Sequence, residues 1–291
     1  MNQMQRAGDS LIKLINESLA IEAEEAKEAG TLGFMARALV QATMPHKDPK
    51  EWFFERTNGA FTLTMMAPPK VGLPYGSVPR LLLAWITTEA VRTRSRDLAL
   101  GDSLSGFMRE LGMVPTGGRW GSITRLREQS RRLFTTAISC LYEGENREGE
   151  IGFRLVDKHV LWWNPKSPDQ RELFASTLTL SEPFFKEVIS HPVPIDLRAL
   201  KALSRSPLAL DIYTWLTYRM SYLQRETTVP WAALEVQFGA GYKRTRDFKA
   251  AFVEHLKSVL AVYWEAKASG TDRGLFLRPS PPHVRRLVPG I

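Results

Sequence analysis

Between residues 119 and 132 the chain carries five arginines (Arg119, Arg125, Arg127, Arg131 and Arg132) against one acid, Glu128. At 100° per residue, Ile123, Leu126, Ser130, Leu133 and Phe134 share one side of a helix, with Arg125 and Arg132 roughly opposite. Guanidinium groups bond phosphates and guanine edges, and Ser122 and Thr124 add short hydroxyls suited to both tasks. A second stretch repeats the pattern. Phe248, Phe252, His255, Leu256 and Val259 form an apolar face, Lys243, Arg246 and Lys257 lie on the far side, and Arg244 and Lys249 belong to the first turns. The chemistry available to both sets is recognition of a polyanion. Any surface helix is charged opposite its core face, so weight comes from the shared context, in which each basic helix follows a glycine-bearing turn. Trp120, between Arg119 and Gly121, is placed either to stack on a sugar or to staple the start of the helix.

Residues for bond-breaking chemistry are not grouped. The five histidines (His46, His159, His191, His255 and His283) form neither an HExxH pair nor a His-x-His cluster, which argues against a zincin or a metal-dependent nickase. No GxxxxGK[ST] run offers a phosphate cradle, and no serine sits in a GxSxG turn. Cys140 reads as a small buried hydrophobe, and His255 as a core-facing histidine. The expectation is a binding protein and not an enzyme, with no metal and no cofactor.

The bulk numbers agree with that expectation. The 291 residues are 44% hydrophobic and 24% charged, the range of a folded globular chain. Lys+Arg outnumber Asp+Glu by 39 to 31, giving +8 and a pI near 9.6, so an acidic partner such as nucleic acid is expected. The longest apolar run, Leu81 to Ile86, is far short of the ~20 residues a bilayer requires. No apolar signal core follows Met1, and the lone cysteine suits a reducing compartment; the cytoplasm is the expected location. Residues 1–50 hold six Lys+Arg and seven Asp+Glu, a net of −1, so the rest of the chain carries +9. Residues 8–28, with Leu11, Leu14, Ile15 and Leu19 in a stripe, are predicted as an N-terminal helix that contacts protein and leaves DNA to the body.

One order of elements is predicted twice. The first copy has a helix over 78–93, an extended Asp97–Leu100 and a helix capped by Ser103 and ended by Gly112. A third helix over 122–134 follows, then strands over 136–142 and 151–156 joined by the charged loop Glu143–Gly149. The second copy has an amphipathic helix opened by Ser206-Pro207 and carrying Leu208, Ile212, Trp215, Leu216, Met220 and Leu223. A strand at Thr227–Val229, a helix from Pro230, a third helix over 245–259 and a hairpin of Leu260–Ala266 with Gly274–Leu277 complete it. Helix, strand, helix, helix, hairpin is the winged-helix order. The predicted fold is therefore α+β and mostly helical: an N-terminal helical arm and linker (1–50), a first winged-helix domain (51–195) and a second (196–291) with a basic C-terminal tail.

Three stretches then carry a family likeness. Leu81-Leu-Leu-Ala-Trp-Ile-Thr-Thr-Glu-Ala-Val-Arg-Thr-Arg-Ser-Arg96, Ser103-Leu-Ser-Gly-Phe-Met-Arg-Glu-Leu-Gly112 and Gly117-Gly-Arg-Trp-Gly-Ser-Ile-Thr-Arg-Leu-Arg127 resemble the plasmid-encoded replication initiator proteins of RepA type. Arg205-Ser-Pro-Leu-Ala-Leu-Asp-Ile-Tyr-Thr-Trp-Leu-Thr-Tyr-Arg219 and Phe248-Lys-Ala-Ala-Phe252 extend the likeness over roughly residues 32–286. The resemblance implies a non-enzymatic protein that binds direct repeats (iterons) in a plasmid origin and opens an adjacent A·T-rich tract. Its implied partners are double-stranded origin DNA, the host replication initiator, and the replicative helicase or its loader; a homodimer is also expected, and no membrane. A winged-helix transcriptional repressor, acting on its own promoter, is the alternative. Helix position, and not the resemblance, assigns DNA contact to Arg119, Ser122, Thr124, Arg125, Arg127, Arg131, Arg132, Lys243, Arg244, Arg246, Lys249 and Lys257.

Overall fold

A computed structural model describes residues 30–144, 147–161, 164, 166–170, 176–239 and 241–284. The predicted helix over 8–28 and the tail beyond residue 284 lie outside them. The chain forms two compact units, Phe34–Pro192 and Val193–Ile291 with the chain up to Gly33. It is an α+β protein of helices and several small sheets. Among the described residues no helix is long and apolar enough to cross a membrane.

The first unit is entered along β1 (Leu32–Ala36) and continues through α1 (Arg37–Gln41), β2 (Phe53–Asn58) and β3 (Phe61–Met66). Then come α2 (Ser77–Thr93), β4 (Asp97–Ala99), α3 (Leu104–Glu110), α4 (Ser122–Thr135), β5 (Ala137–Gly144) and β6 (Arg147–Arg154). β7 (Val156–Val160), β8 (Thr177–Leu180) and α5 (Glu182–Ser190) complete it. Residues 34–44, read from the sequence as arm and linker, place Phe34, Met35, Leu39, Val40 and Met44 in the interior of this unit. The guanidinium of Arg80, 1% exposed on α2, ties that segment down by donating to the carbonyls of Met44 at 2.7 Å, Pro45 at 3.3 Å and Gly76 at 2.7 Å. Ser103 caps α3 as expected, accepting from Gly106 N–H.

Two antiparallel sheets hold the unit, in the orders β2-β3-β5-β6 and β4-β8-β7. The expected charged loop at Glu143–Gly149 is instead mostly strand, with Glu143 opposite Glu148 and Gly144 opposite Arg147. β4 pairs with β8, Leu98 opposite Leu178, and not with the hairpin that follows α4.

The second unit begins on β9 (Pro192–Asp196) and runs through α6 (Leu197–Leu203), α7 (Pro207–Met220), β10 (Thr227–Pro230) and α8 (Trp231–Phe238). α9 (Thr245–Val262), β11 (Ala268–Gly270) and β12 (Gly274–Leu277) follow, with sheet order β10-β12-β11. Ser206 caps α7 as predicted, accepting from Ala209 N–H, but the helix stops at Met220 and leaves Leu223 outside. Nor is α7 amphipathic: every residue from Leu208 to Thr217 is buried, Asp211 and Thr214 among them. α9 runs on to Val262, into the start of the strand expected at Leu260–Ala266, because Val259 and Val262 continue its buried stripe. The hairpin is consequently shorter and later. β12 passes so close to β10 that a Cβ at Gly274 would lie 2.1 Å from the carbonyl oxygen of Val229.

The tail closes this unit. Tyr213 OH accepts from Asp196 N–H at 2.9 Å and shares a hydrogen bond of 2.7 Å with Nδ1 of His283. Tyr263 lies against the same imidazole, with ring centroids 4.8 Å apart, and donates its hydroxyl to Pro281 O. Burial pushes the Tyr213 hydroxyl well up and the His283 imidazole down to about 4, against the nearby Asp196 carboxylate.

Candidate nucleic-acid interface

The start of α4 is held by a reciprocal pair of hydroxyls. Ser122 N–H donates to Thr116 Oγ1 at 2.9 Å, and Thr116 N–H donates back to Ser122 Oγ at 2.9 Å. Ser122 Oγ gives its own proton to Val114 O at 2.6 Å, so the Thr116 hydroxyl donates to Ser122 Oγ, 3.0 Å away. Thr124 Oγ1 bonds Gly118 O at 2.9 Å. Gly118 stands at φ +87°, and a Cβ on Gly121 would fall 2.2 Å from Thr116 O, so both positions require glycine. Ser122 is therefore buried and fully engaged in building the turn, which corrects its assignment as a DNA contact.

Beyond that turn α4 presents Thr124, Arg125, Arg127 and Arg131 to solvent, while Ile123, Leu126, Leu133 and Phe134 are buried. Arg132, expected opposite the apolar face, is half-buried instead. It donates to Leu73 O at 3.1 Å, pairs with Glu128 at 2.7 Å and Asp48 at 3.7 Å, and lies over the Tyr75 ring. Its side chain leans toward the segment around Gly72, held by the Leu73 carbonyl there, by Asp48 and by Glu128 of its own helix, so it anchors the helix and is not free to reach DNA. Arg119 and Trp120 are both exposed, Trp120 by 80%, and the guanidinium lies 5.0 Å from the indole centroid. Trp120 is thus no staple.

In the second unit Lys243, Arg244 and Arg246 are exposed around the start of α9, where Arg244 takes the N-cap position. Arg246 pairs with its exposed neighbour Asp247 at 3.8 Å. Lys257, three residues from Glu254, pairs with it at 3.2 Å. Lys249 is half-buried over the Trp231 ring, 5.3 Å from its centroid, and 3.8 Å from Asp272, a packing role more than a reaching one. His255 is half-buried with Ser206 Oγ 3.5 Å from Nε2, and burial lowers its pKa. One cation escaped the sequence reading: Arg273 is exposed in the turn between β11 and β12. Its signal was the Asp272-Arg273-Gly274 turn, hidden by placing the hairpin too early.

Cys140 is buried in β5, and burial raises its thiol to about 12.

No curated protein matches the chain. Its fold is similar to a crystal structure of selenomethionine derivatives of domains 2 and 3 of RctB, with TM-score 0.55 and 10% identity, covering 85% of this chain and 99% of that one. A second structure of RctB domains 2–3 aligns with TM-score 0.50 and 12% identity over 82% of this chain and 94% of the other. A family model described as plasmid-encoded RepA protein matches residues 73–232, a span from the approach to α2 through β10 and into α8 that includes the whole of α4. That is more than half of the 291 residues, and the chain belongs to this family of plasmid-encoded RepA proteins, the replication initiators its motifs resemble.

Proposed function

We propose that this protein initiates plasmid replication by binding direct repeats in origin duplex DNA, with α4 and α9 as the two helices that meet the groove. It then promotes opening of an adjacent A·T-rich tract and brings in the host initiator and replicative helicase. It works as a binding protein, without hydrolysing nucleotide or DNA. The observation that carries this reading is the outward row Thr124, Arg125, Arg127 and Arg131 on α4, following Arg119 on a turn built to hold the helix start. In the second unit, the order α7, β10, α8, α9, β11, β12 with β12 central in the sheet supports a winged helix. The first unit keeps that order of elements but pairs β4 elsewhere, and we read it as a modified form of the same plan.

Footprinting of the full chain on the DNA flanking its gene tests this. Protection of tandem direct repeats beside an A·T-rich tract is expected, with protected positions spaced by whole helical turns. Protection of a lone palindrome would instead favour a repressor.

A further inference from the structure

Trp120 presents a large apolar ring to water at the start of a helix whose outward residues are cationic. From Leu111 to Arg127 the chain has no acidic residue, and Val114, 77% exposed, is drawn to the same turn by the bond from Ser122 to its carbonyl. The turn is rigid for reasons already given: two obligatory glycines, a reciprocal hydroxyl pair, and Gly118 O accepting from both Gly121 N–H at 3.1 Å and Thr124 Oγ1. A ring held out by such a turn is preorganised, so contact with it requires little further ordering. Arg119 lies on the indole, which joins a phosphate-seeking cation to an apolar surface.

We infer that Trp120 is a duplex-DNA contact: its ring packs on the deoxyribose carbons of the strand bordering the groove that α4 enters, while Arg119 takes the adjoining phosphate. This rests on the proposed role of α4. Inside a duplex the bases show only their edges, so the apolar surface open to an indole at the groove border is sugar. Such a contact adds affinity through apolar area, which salt does not screen, whereas the arginines act through released counterions.

The two modes separate in a salt titration. Full-length wild-type, Trp120→Ala, Trp120→Phe, Arg119→Ala and Arg125→Ala chains are titrated with a duplex of the DNA flanking the gene, and with a random duplex of equal length, from low to high KCl. Thermal unfolding confirms that each variant folds. Trp120→Ala should weaken binding roughly tenfold at every salt concentration with the slope of log K against log salt unchanged, and Trp120→Phe should restore most of it. Arg119→Ala and Arg125→Ala should each flatten that slope by about one counterion. A Trp120→Ala chain that binds like wild type overturns the inference and leaves α4's role standing; its ring then serves a protein partner. A loss that comes with a flattened slope also overturns it, because Trp120 would then act only by holding Arg119. If the unsubstituted chain binds neither duplex, the inference and the proposed function fall together.

Discussion

Trp120 precedes α4 by two residues and stands in solvent, whereas Tyr242 precedes α9 by three and lies against Phe248, ring centroids 5.6 Å apart. Both aromatics follow a glycine in the left-handed region, Gly118 at φ +87° and Gly241 at φ +107°. The difference lies in what else secures each lead-in. At α4 the Thr116–Ser122 hydroxyl pair fixes the turn by hydrogen bonds, so the aromatic is not needed for packing. At α9 the N-cap is Arg244, which makes no side-chain capping bond, and the tyrosine ring supplies the closure by burial. Burial also raises the Tyr242 hydroxyl pKa. Hydrogen bonding at a turn thus frees a large side chain for external work, and apolar closure consumes it.

The sharpest way to break this comparison is to reverse charge on one helix at a time. Arg125, Arg127 and Arg131 changed together to Glu should lower affinity for the flanking duplex roughly a hundredfold or more, and so should the set Lys243, Arg244 and Arg246. If only one set matters in a binding isotherm at fixed salt, a single helix meets the groove. Next come the closures themselves. Ser122→Ala leaves Val114 O and Thr116 N–H without their partner and should cost the first unit about 2 kcal/mol in denaturant unfolding. Tyr242→Ala should cost the second unit a similar amount, through lost ring packing instead. Equal tolerance of both substitutions would mean that neither turn is held as described.

Arg132 and Arg125 differ within one helix. Arg132→Ala should destabilise by about 1–2 kcal/mol, since the carbonyl of Leu73 and the carboxylates of Asp48 and Glu128 lose their cation. Arg125→Ala should stay within about 0.5 kcal/mol and show its effect only in binding. The smallest handle is acid. His283 sits near 4 in the folded second unit and near 6.5 unfolded, so the unfolded chain takes up its proton first. Stability of this unit should therefore fall as pH drops from about 6.5 toward 4, and be fully present above that window. In His283→Ala the melting temperature should lose that part of its pH dependence; an unchanged slope would show that the imidazole is not the group responsible.

Much of this was legible because local chemistry speaks locally. Ser103 and Ser206 announced their helices as caps, and the stripe Ile123, Leu126, Leu133 fixed the buried side of α4. The exposed cations near the two helix starts, Arg119 and Arg125 at α4 and Lys243, Arg244 and Arg246 at α9, were visible for the same reason. What the sequence hid depends on distant partners. A helical wheel cannot show that Leu73, 59 residues before Arg132, offers it a carbonyl. The same holds for Arg80, whose acceptors at Met44 and Pro45 lie 36 and 35 residues away, and for β4, whose partner β8 comes some 80 residues later. α7 misled differently: its stripe of Leu208, Ile212, Trp215, Leu216 and Met220 pointed to one buried face, yet Asp211 and Thr214 are buried as well. Periodicity reports which side is apolar; it does not report how many sides are covered.

Thr31 and Asp196 belong to the same unit, joined by the Thr31 hydroxyl and by the bond from Leu197 N–H to Thr31 O, although 165 residues separate them. During synthesis the segment at Thr31 therefore leaves the ribosome with nothing to hold. The whole of Phe34–Pro192, on the order of ten seconds of synthesis at ordinary elongation rates, is made before the other half of its host begins to appear. The inserted unit is complete in the chain first, with the two parts of the other unit on either side of it in sequence. The order in which the basic helices are made is thus written into the chain: α4 is complete while α9 is still unmade.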